Sequence, residues 1–177
     1  RFEPIASLDR RYEALRLPPG RALRAVLGTW LEHHGGHEPV LATDGIDEGR
    51  LVLLDGFKRV GWLAEHGAEG VWVAVVRLSG PAALAAMVTA NAGQRGLTEL
   101  EEGWIVSKLT VEHGLDQTRI GELLGRHKSW VCRRLSFVTR LETAVQEDVR
   151  LGLIHASAAR EIVRLPRGNQ ADAVRAI

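Results

Sequence analysis

Cysteine is nearly absent: Cys132 is the single one in 177 residues. One thiol can form neither an internal disulfide nor a thiolate metal cluster, so neither cross-links this fold. No apolar run approaches the length of a membrane-crossing helix, and no signal-peptide pattern opens the chain. A cytoplasmic protein without a membrane partner is the simplest expectation. Charge of either sign is not in excess, with a formal net charge of +1. There is no initiator methionine, and the sequence ends within a helical pattern, ADAVRAI, so part of a longer protein is expected. Aromatics make up only 5%, and five of them are tryptophan (Trp30, Trp62, Trp72, Trp104, Trp130). Most of these fall at helix or strand positions that should be core, with Trp130 the exception. What is present, 45% apolar and 25% charged residues, is ordinary for a globular protein and enough for one domain or two small ones.

The near-zero net charge hides a local excess. Residues 1–90 carry 10 Lys+Arg against 11 Asp+Glu, and residues 91–177 carry 13 against 11. Between Gln117 and Leu141 stand six cations (Arg119, Arg126, Lys128, Arg133, Arg134, Arg140) and one anion, Glu122. Basic charge gathered on one short segment points to a polyanionic partner.

The first half mixes helix and strand. GRALRAVLGTWLEHHGG has helical spacing and a Gly35-Gly36 stop. PVLAT and RLVLLD read as short strands around an acidic turn, DGIDEG. FKRVGWLAEHG is helical, VWVAVVRL is a β-branched strand, and GPAALAAMVTANAG is an alanine-rich helix. After Gly96 the character changes. Thr98 and Glu101 have the spacing of a capping box that starts a new helix at LTELEEGW, and only helical patterns follow. The expected organisation is an α+β domain over 1–96 and an all-α domain over 97–177.

DQTRIGELLGRHKSWVCRRLSFVTRL has the form of a helix-turn-helix at about 117–141. Ile120, Leu123 and Leu124 share one face of the first helix, Gly121 lets a second helix approach, and Gly125 suits the turn. In the second helix Val131, Leu135 and Val138 form the buried stripe, with Trp130 and Leu141 at its edge. Ser129, Arg133, Ser136 and Arg140 cluster opposite, joined by Arg126 and Lys128 at the helix start. Hydroxyls alternating with guanidinium groups suit phosphates and guanine edges in a major groove of double-stranded DNA. Arg134, about 100° from Arg133, is expected to reach sideways to a phosphate or to an intramolecular carboxylate. Trp130 is expected to pack on the first helix rather than on a DNA sugar.

Taken together these segments resemble the ParB family of DNA-partition proteins, from about Thr29 to the end. The family's helix–Gly–x–x–Gln–Pro entry corresponds to TWLEHHGGHEP, with Glu38 in place of glutamine. Its Gly-Glu-Arg-Arg turn corresponds to Gly56-Phe57-Lys58-Arg59 within LLDGFKRVG. Its Glu-Asn-x-Gln-Arg motif, running into a Leu-x-x-Leu-Glu-Glu helix, corresponds to ANAGQRGLTELEE. The helix-turn-helix follows, and GLIHASAAREIVRL is similar to the segment that ends in Gly-His-Ala-Arg.

The resemblance implies a ParB/sulfiredoxin-like first domain that binds CTP with Mg²⁺, and a homodimer that nucleotide closes into a clamp around DNA. It also implies a partition ATPase as a further partner and a location on the nucleoid or a plasmid. The nucleotide residues it implies are Gly56, Phe57, Lys58, Arg59, Asn91 and either Gln94 or Arg95, with Asn91 also the retained metal ligand. Gly56 would let the backbone approach a phosphate, the next helix would present its positive end, and the two cations would add charge. Two departures bear on turnover. The family's hydrolytic glutamate is Phe57, which can neither accept a proton nor orient water. Its metal-holding glutamate is Ala90, which removes a carboxylate that a hard cation wants. Binding without efficient hydrolysis is therefore expected.

Three other readings touch particular residues. His33, His34 and His37 straddle the glycine pair and share no ligand face, so helix-end histidines are expected there rather than a metal site. Sulfiredoxins share the fold, but the position of their reactive cysteine is Phe57. Some free-serine kinases carry an Asp-Gly-x-x-Arg turn that Asp55-Gly56-Phe57-Lys58-Arg59 fits. A phosphotransferase, with Asp55 or Glu38 as base, is the alternative function.

Overall fold

The structure, a computed structural model, describes residues 1–34, 37–47, 49–92 and 96–176, without the side chain of His34. It forms two compact units, Arg1–Ala14 with Pro19–Ala90, and Leu15–Pro18 with Asn91–Ile177.

The first unit is built on a four-stranded mixed sheet, β1 (Phe2–Pro4), β2 (Val40–Asp47), β3 (Arg50–Asp55) and β4 (Gly70–Val76), in the order β1-β4-β2-β3. β2 and β4 are parallel, with Val40 opposite Val73, and the other pairs are antiparallel. Parallel neighbours need a crossover connection. Here β3 and helix α2 (Phe57–Glu65) supply it. Leu51, Val52, Leu53 and Leu54 are all buried, which explains the unbroken apolar run of β3. β4 alternates instead: Val71 and Val73 are buried while Trp72 faces out and meets Phe2 edge-on at 5.6 Å. Helices α1 (Arg21–His34) and α3 (Gly80–Ala90) complete the unit.

The structure corrects the sequence reading in three places here. β1 has three residues and no strand pattern of its own; its pairing with β4 creates it. The acidic turn DGIDEG is shorter than expected, because β2 continues to Asp47 through shifts in register. Among the tryptophans only Trp104 is buried; Trp30, Trp62 and Trp130 are half-buried, and Trp72 is exposed.

The second unit is helical throughout its described residues: α4 (Glu99–Val111), α5 (Gln117–Leu124), α6 (Lys128–Arg140), α7 (Thr143–Arg150), α8 (Ala156–Ile162) and α9 (Arg167–Arg175). The Thr98 capping box is present. Thr98 Oγ1 accepts from Glu101 N, and Glu101 Oε2 accepts from Thr98 N at 2.7 Å. The other oxygen of Glu101 accepts from Leu17 N at 3.0 Å and lies 3.5 Å from Arg16 Nε, which ties the segment Leu15–Pro18 to this unit. Leu100, Trp104, Val138, Leu141, Val145, Val149 and Ile162 form much of the core.

Candidate nucleic-acid interface

The interface is set by how α5 meets α6. Asp116 caps α5 by accepting from Thr118 N and Arg119 N at 2.8 and 2.9 Å. The Arg119 amide is the main reason that the Asp116 carboxyl sits below the ordinary carboxylate range. Ile120 is fully buried. A Cβ on Gly121 would stand 2.6 Å from the carbonyl oxygen of Arg126, so only glycine permits this approach. His127 then caps α6, its Nδ1 accepting from Ser129 N at 3.2 Å. Val131, Val138 and Leu141 are buried as expected, whereas Leu135 is only half-buried.

The far end of α6 is held by two glutamines that carry no sequence signal. Gln146 Nε2 donates to the carbonyls of Val138 and Leu141 at 2.9 and 3.0 Å, while its Oε1 accepts from Trp104 Nε1 at 2.8 Å. Gln170, with no exposed surface, donates to the carbonyls of Arg140 and Leu165 and accepts from Glu142 N. The last carbonyls of a helix have no partner within it, and these amides supply one. A polar residue in a polar helix shows no periodicity, so only the folded contacts identify the pair.

With both ends of α6 fixed, the cations of this unit sort into two sets. Arg16, Lys108, Arg134, Arg150, Arg160, Arg164 and Arg175 are each paired with a carboxylate. Arg119, Arg126, Lys128, Arg133, Arg140 and Arg167 are exposed and form no ion pair among the described residues. All but Arg167, the first residue of α9, lie on or beside α5 and α6. Ser129 and Cys132 are exposed on the same helix, and Ser136 is half-buried. Arg134 takes the intramolecular route of the two expected for it. Its Nε lies 2.5 Å from Glu102 Oε2 and its Nη1 3.1 Å from Glu99 Oε1, with the side chain 16% exposed. It thus belongs with the paired cations and not with the outward basic face.

The chain is similar to known proteins. The ParB HTH domain family matches residues 95–177. The first unit's mixed sheet and helices, with the helical region after it, have the fold of a Pnob8-like ParB-N domain structure, with a TM-score of 0.54, 14% identity, and coverage of 98% of this chain and 92% of that one. Residues 95–177 belong to the ParB HTH domain family. That region is ParB-like, a helix-turn-helix of the DNA-binding kind.

Two further proteins are similar to the chain. The nucleoid occlusion protein of Oceanobacillus iheyensis is 26% identical over 148 residues, 84% of this chain and 51% of that protein. The chain thus spans about half of that relative's length. C-terminally truncated chromosome-partitioning protein ParB from Caulobacter crescentus, complexed with CTP-gamma-S, is 22% identical with a TM-score of 0.47, and 98% of each chain is covered. The same protein complexed to the centromeric parS site gives 22% and 0.48, covering 99% of this chain and 92% of that one.

The ParB-type turn of the first unit, Gly56-Phe57-Lys58-Arg59, joins β3 to α2. Gly56 has φ 96°, and a Cβ there would stand 2.4 Å from Val40 Cγ1, so both conformation and space require glycine. Phe57 is 4% exposed and faces the core, leaving only its backbone amide at the turn. Arg59 is drawn aside: its Nη1 donates to the Glu38 carbonyl at 2.7 Å and lies 3.2 Å from the Glu38 carboxylate. Lys58 is half-buried. The same ion pair occupies Glu38, the candidate base of a phosphotransferase.

Asn91, described with the second unit, accepts from Arg16 Nη2 at 3.1 Å through Oδ1, the oxygen a metal would need. Among the described residues no group of three His, Cys, Asp or Glu side chains is placed to hold a metal ion. This donor set does not fit a hard divalent cation. Gln94 and Arg95 lie outside the described residues. No described helix is long and apolar enough to cross a membrane.

Proposed function

We propose that the chain is the DNA-contacting part of a site-specific ParB-type protein, dimeric when full-length, whose first unit binds a nucleotide at the Gly56 turn without efficient hydrolysis. One observation carries the DNA part: five of the six unpaired cations described in the second unit gather on α5 and α6, while others around them are neutralised internally. An unpaired guanidinium is free to displace counterions from a duplex, and a paired one must first break its bond. Arg133 is assigned to a base edge, with Ser129 and Lys128 beside it and Arg126 and Arg140 on phosphates. Arg119, at the start of α5, joins the phosphate set.

The nucleotide part is supported by the glycine conformation at Gly56 and by the helix N-terminus that follows it. The buried Phe57 and the bonded Asn91 oxygen leave the chain with little to activate water or hold Mg²⁺. Nucleotide would therefore act on conformation. CTP is the nucleotide proposed, a partition ATPase the further partner, and association with nucleoid or plasmid DNA the setting.

The test is a DNA titration followed against salt, with Arg133→Ala beside the wild type. Loss of about 1–3 kcal/mol at one base pair is expected, with little change on non-specific duplex. Equal weakening on both would make Arg133 a phosphate contact, and no binding at any salt would reject the DNA reading. Calorimetry with CTP, ATP, GTP and UTP, with and without Mg²⁺, tests the other unit. CTP selectivity supports a nucleotide-gated clamp, ATP preference supports a phosphotransferase, and no heat leaves the first unit a scaffold.

A further inference from the structure

Trp130 is the third residue of α6 and is half-buried. Two guanidinium groups lie over its indole ring, Arg134 at 5.1 Å and Arg126 at 5.5 Å from the centroid. Both distances are within the range of a cation–π contact. Two cations on one ring would normally repel. Here Arg134 is neutralised from behind by Glu102 at 2.5 Å and Glu99 at 3.1 Å, and Glu99 is shared with Arg160 at 2.8 Å. The net positive charge left on the ring is that of Arg126. Its guanidinium is exposed and has no carboxylate partner among the described residues.

We propose that Trp130 is a positioning residue for DNA binding: its indole, backed by the neutralised Arg134, holds the Arg126 guanidinium oriented toward the phosphate backbone before the duplex arrives. This rests on the DNA-binding reading above. A free arginine loses rotamer freedom when it lands on a phosphate, and one already stacked has less to lose. Arg126 also closes the turn between the two helices, its backbone N–H donating to the Gly121 carbonyl at 2.8 Å. Backbone and side chain of this one residue are therefore both fixed, the first by α5 and the second by α6. The sequence alone reads Trp130 as a packing residue at the edge of the stripe.

Trp130→Leu keeps apolar bulk and removes the π face. It is expected to weaken duplex binding about two- to fivefold, the size of an exposed cation–π contact. The salt slope should stay unchanged, because Arg126 keeps its charge. Arg126→Ala should instead lower the slope by about one. In the double variant Trp130→Leu should cost nothing further. Independent, multiplying losses would overturn the proposal.

A second measurement needs no DNA. Nitrogen-15 relaxation at Arg126 Nε should show an ordered side chain in the wild type and a mobile one in Trp130→Leu. Equal mobility in both overturns the proposal whatever the duplex does. Failure of the wild type to bind DNA, with Arg126 ordered, would count instead against the DNA reading. Should Trp130→Leu fail to fold, Trp130→Phe, which keeps a weaker π face, is expected to give intermediate order and affinity. Wild-type order with a phenyl ring would show that packing alone is enough.

Discussion

Gly121 shows how little room the helix-turn-helix leaves. The Cβ of an alanine there would come within 2.6 Å of the Arg126 carbonyl oxygen, and a backbone atom cannot swing away as a side chain can. Gly121→Ala is therefore expected to cost about 1–3 kcal/mol by overpacking, seen as a lower denaturant midpoint with an unchanged slope. An unaffected midpoint would mean that the turn relaxes freely. Phe57 makes the opposite point. The sequence resemblance sets it where the family has a glutamate, yet its side chain is buried, so its chemistry is packing.

At the scale of elements, helix ends carry the argument. α4 begins with a full capping box, and α5 begins at Asp116, which accepts from two backbone amides. The Asp116 carboxyl is held below its ordinary value, first by the Arg119 amide. For a lowered folded value, the stabilisation is fully present above the unfolded value and is lost as pH falls through the folded one. Amide protection factors at Thr118 and Arg119 should therefore hold at about pH 6 and decline below about pH 4. Asp116→Asn, which caps without titrating, should show no such decline at these two amides. A decline in both proteins would assign it to other carboxylates. At the other end, Gln146 and Gln170 show that α6 is positioned by distant amides from α7 and α9.

For the second unit as a whole, the partition of charge decides which cations can serve a partner. Lys128 is exposed and unpaired among the described residues, whereas Arg134 is held by two carboxylates of α4. Lys128→Ala should lower the salt slope of duplex binding by about one and leave thermal stability alone. Arg134→Ala should do the reverse, because it strips two partly buried carboxylates of their partner. A fall in slope with Arg134→Ala would place that side chain on the duplex after all.

Local rules made much of this protein legible in advance. The capping box at Thr98, the glycines at Gly121 and Gly125, the apolar run of β3 and the basic segment between Gln117 and Leu141 each follow from one stretch of chain. Spacing and residue type suffice where the interaction is short-range, and the ParB motifs lie in such stretches. Tertiary structure decided the rest. It made β1 a strand by giving it β4 to pair with, turned Trp72 outward, and buried Gln170 against three backbone groups. It also divided adjacent Arg133 and Arg134 between solvent and the α4 carboxylates. Each of these outcomes depends on a partner far away in sequence, whose position is set only when the core closes.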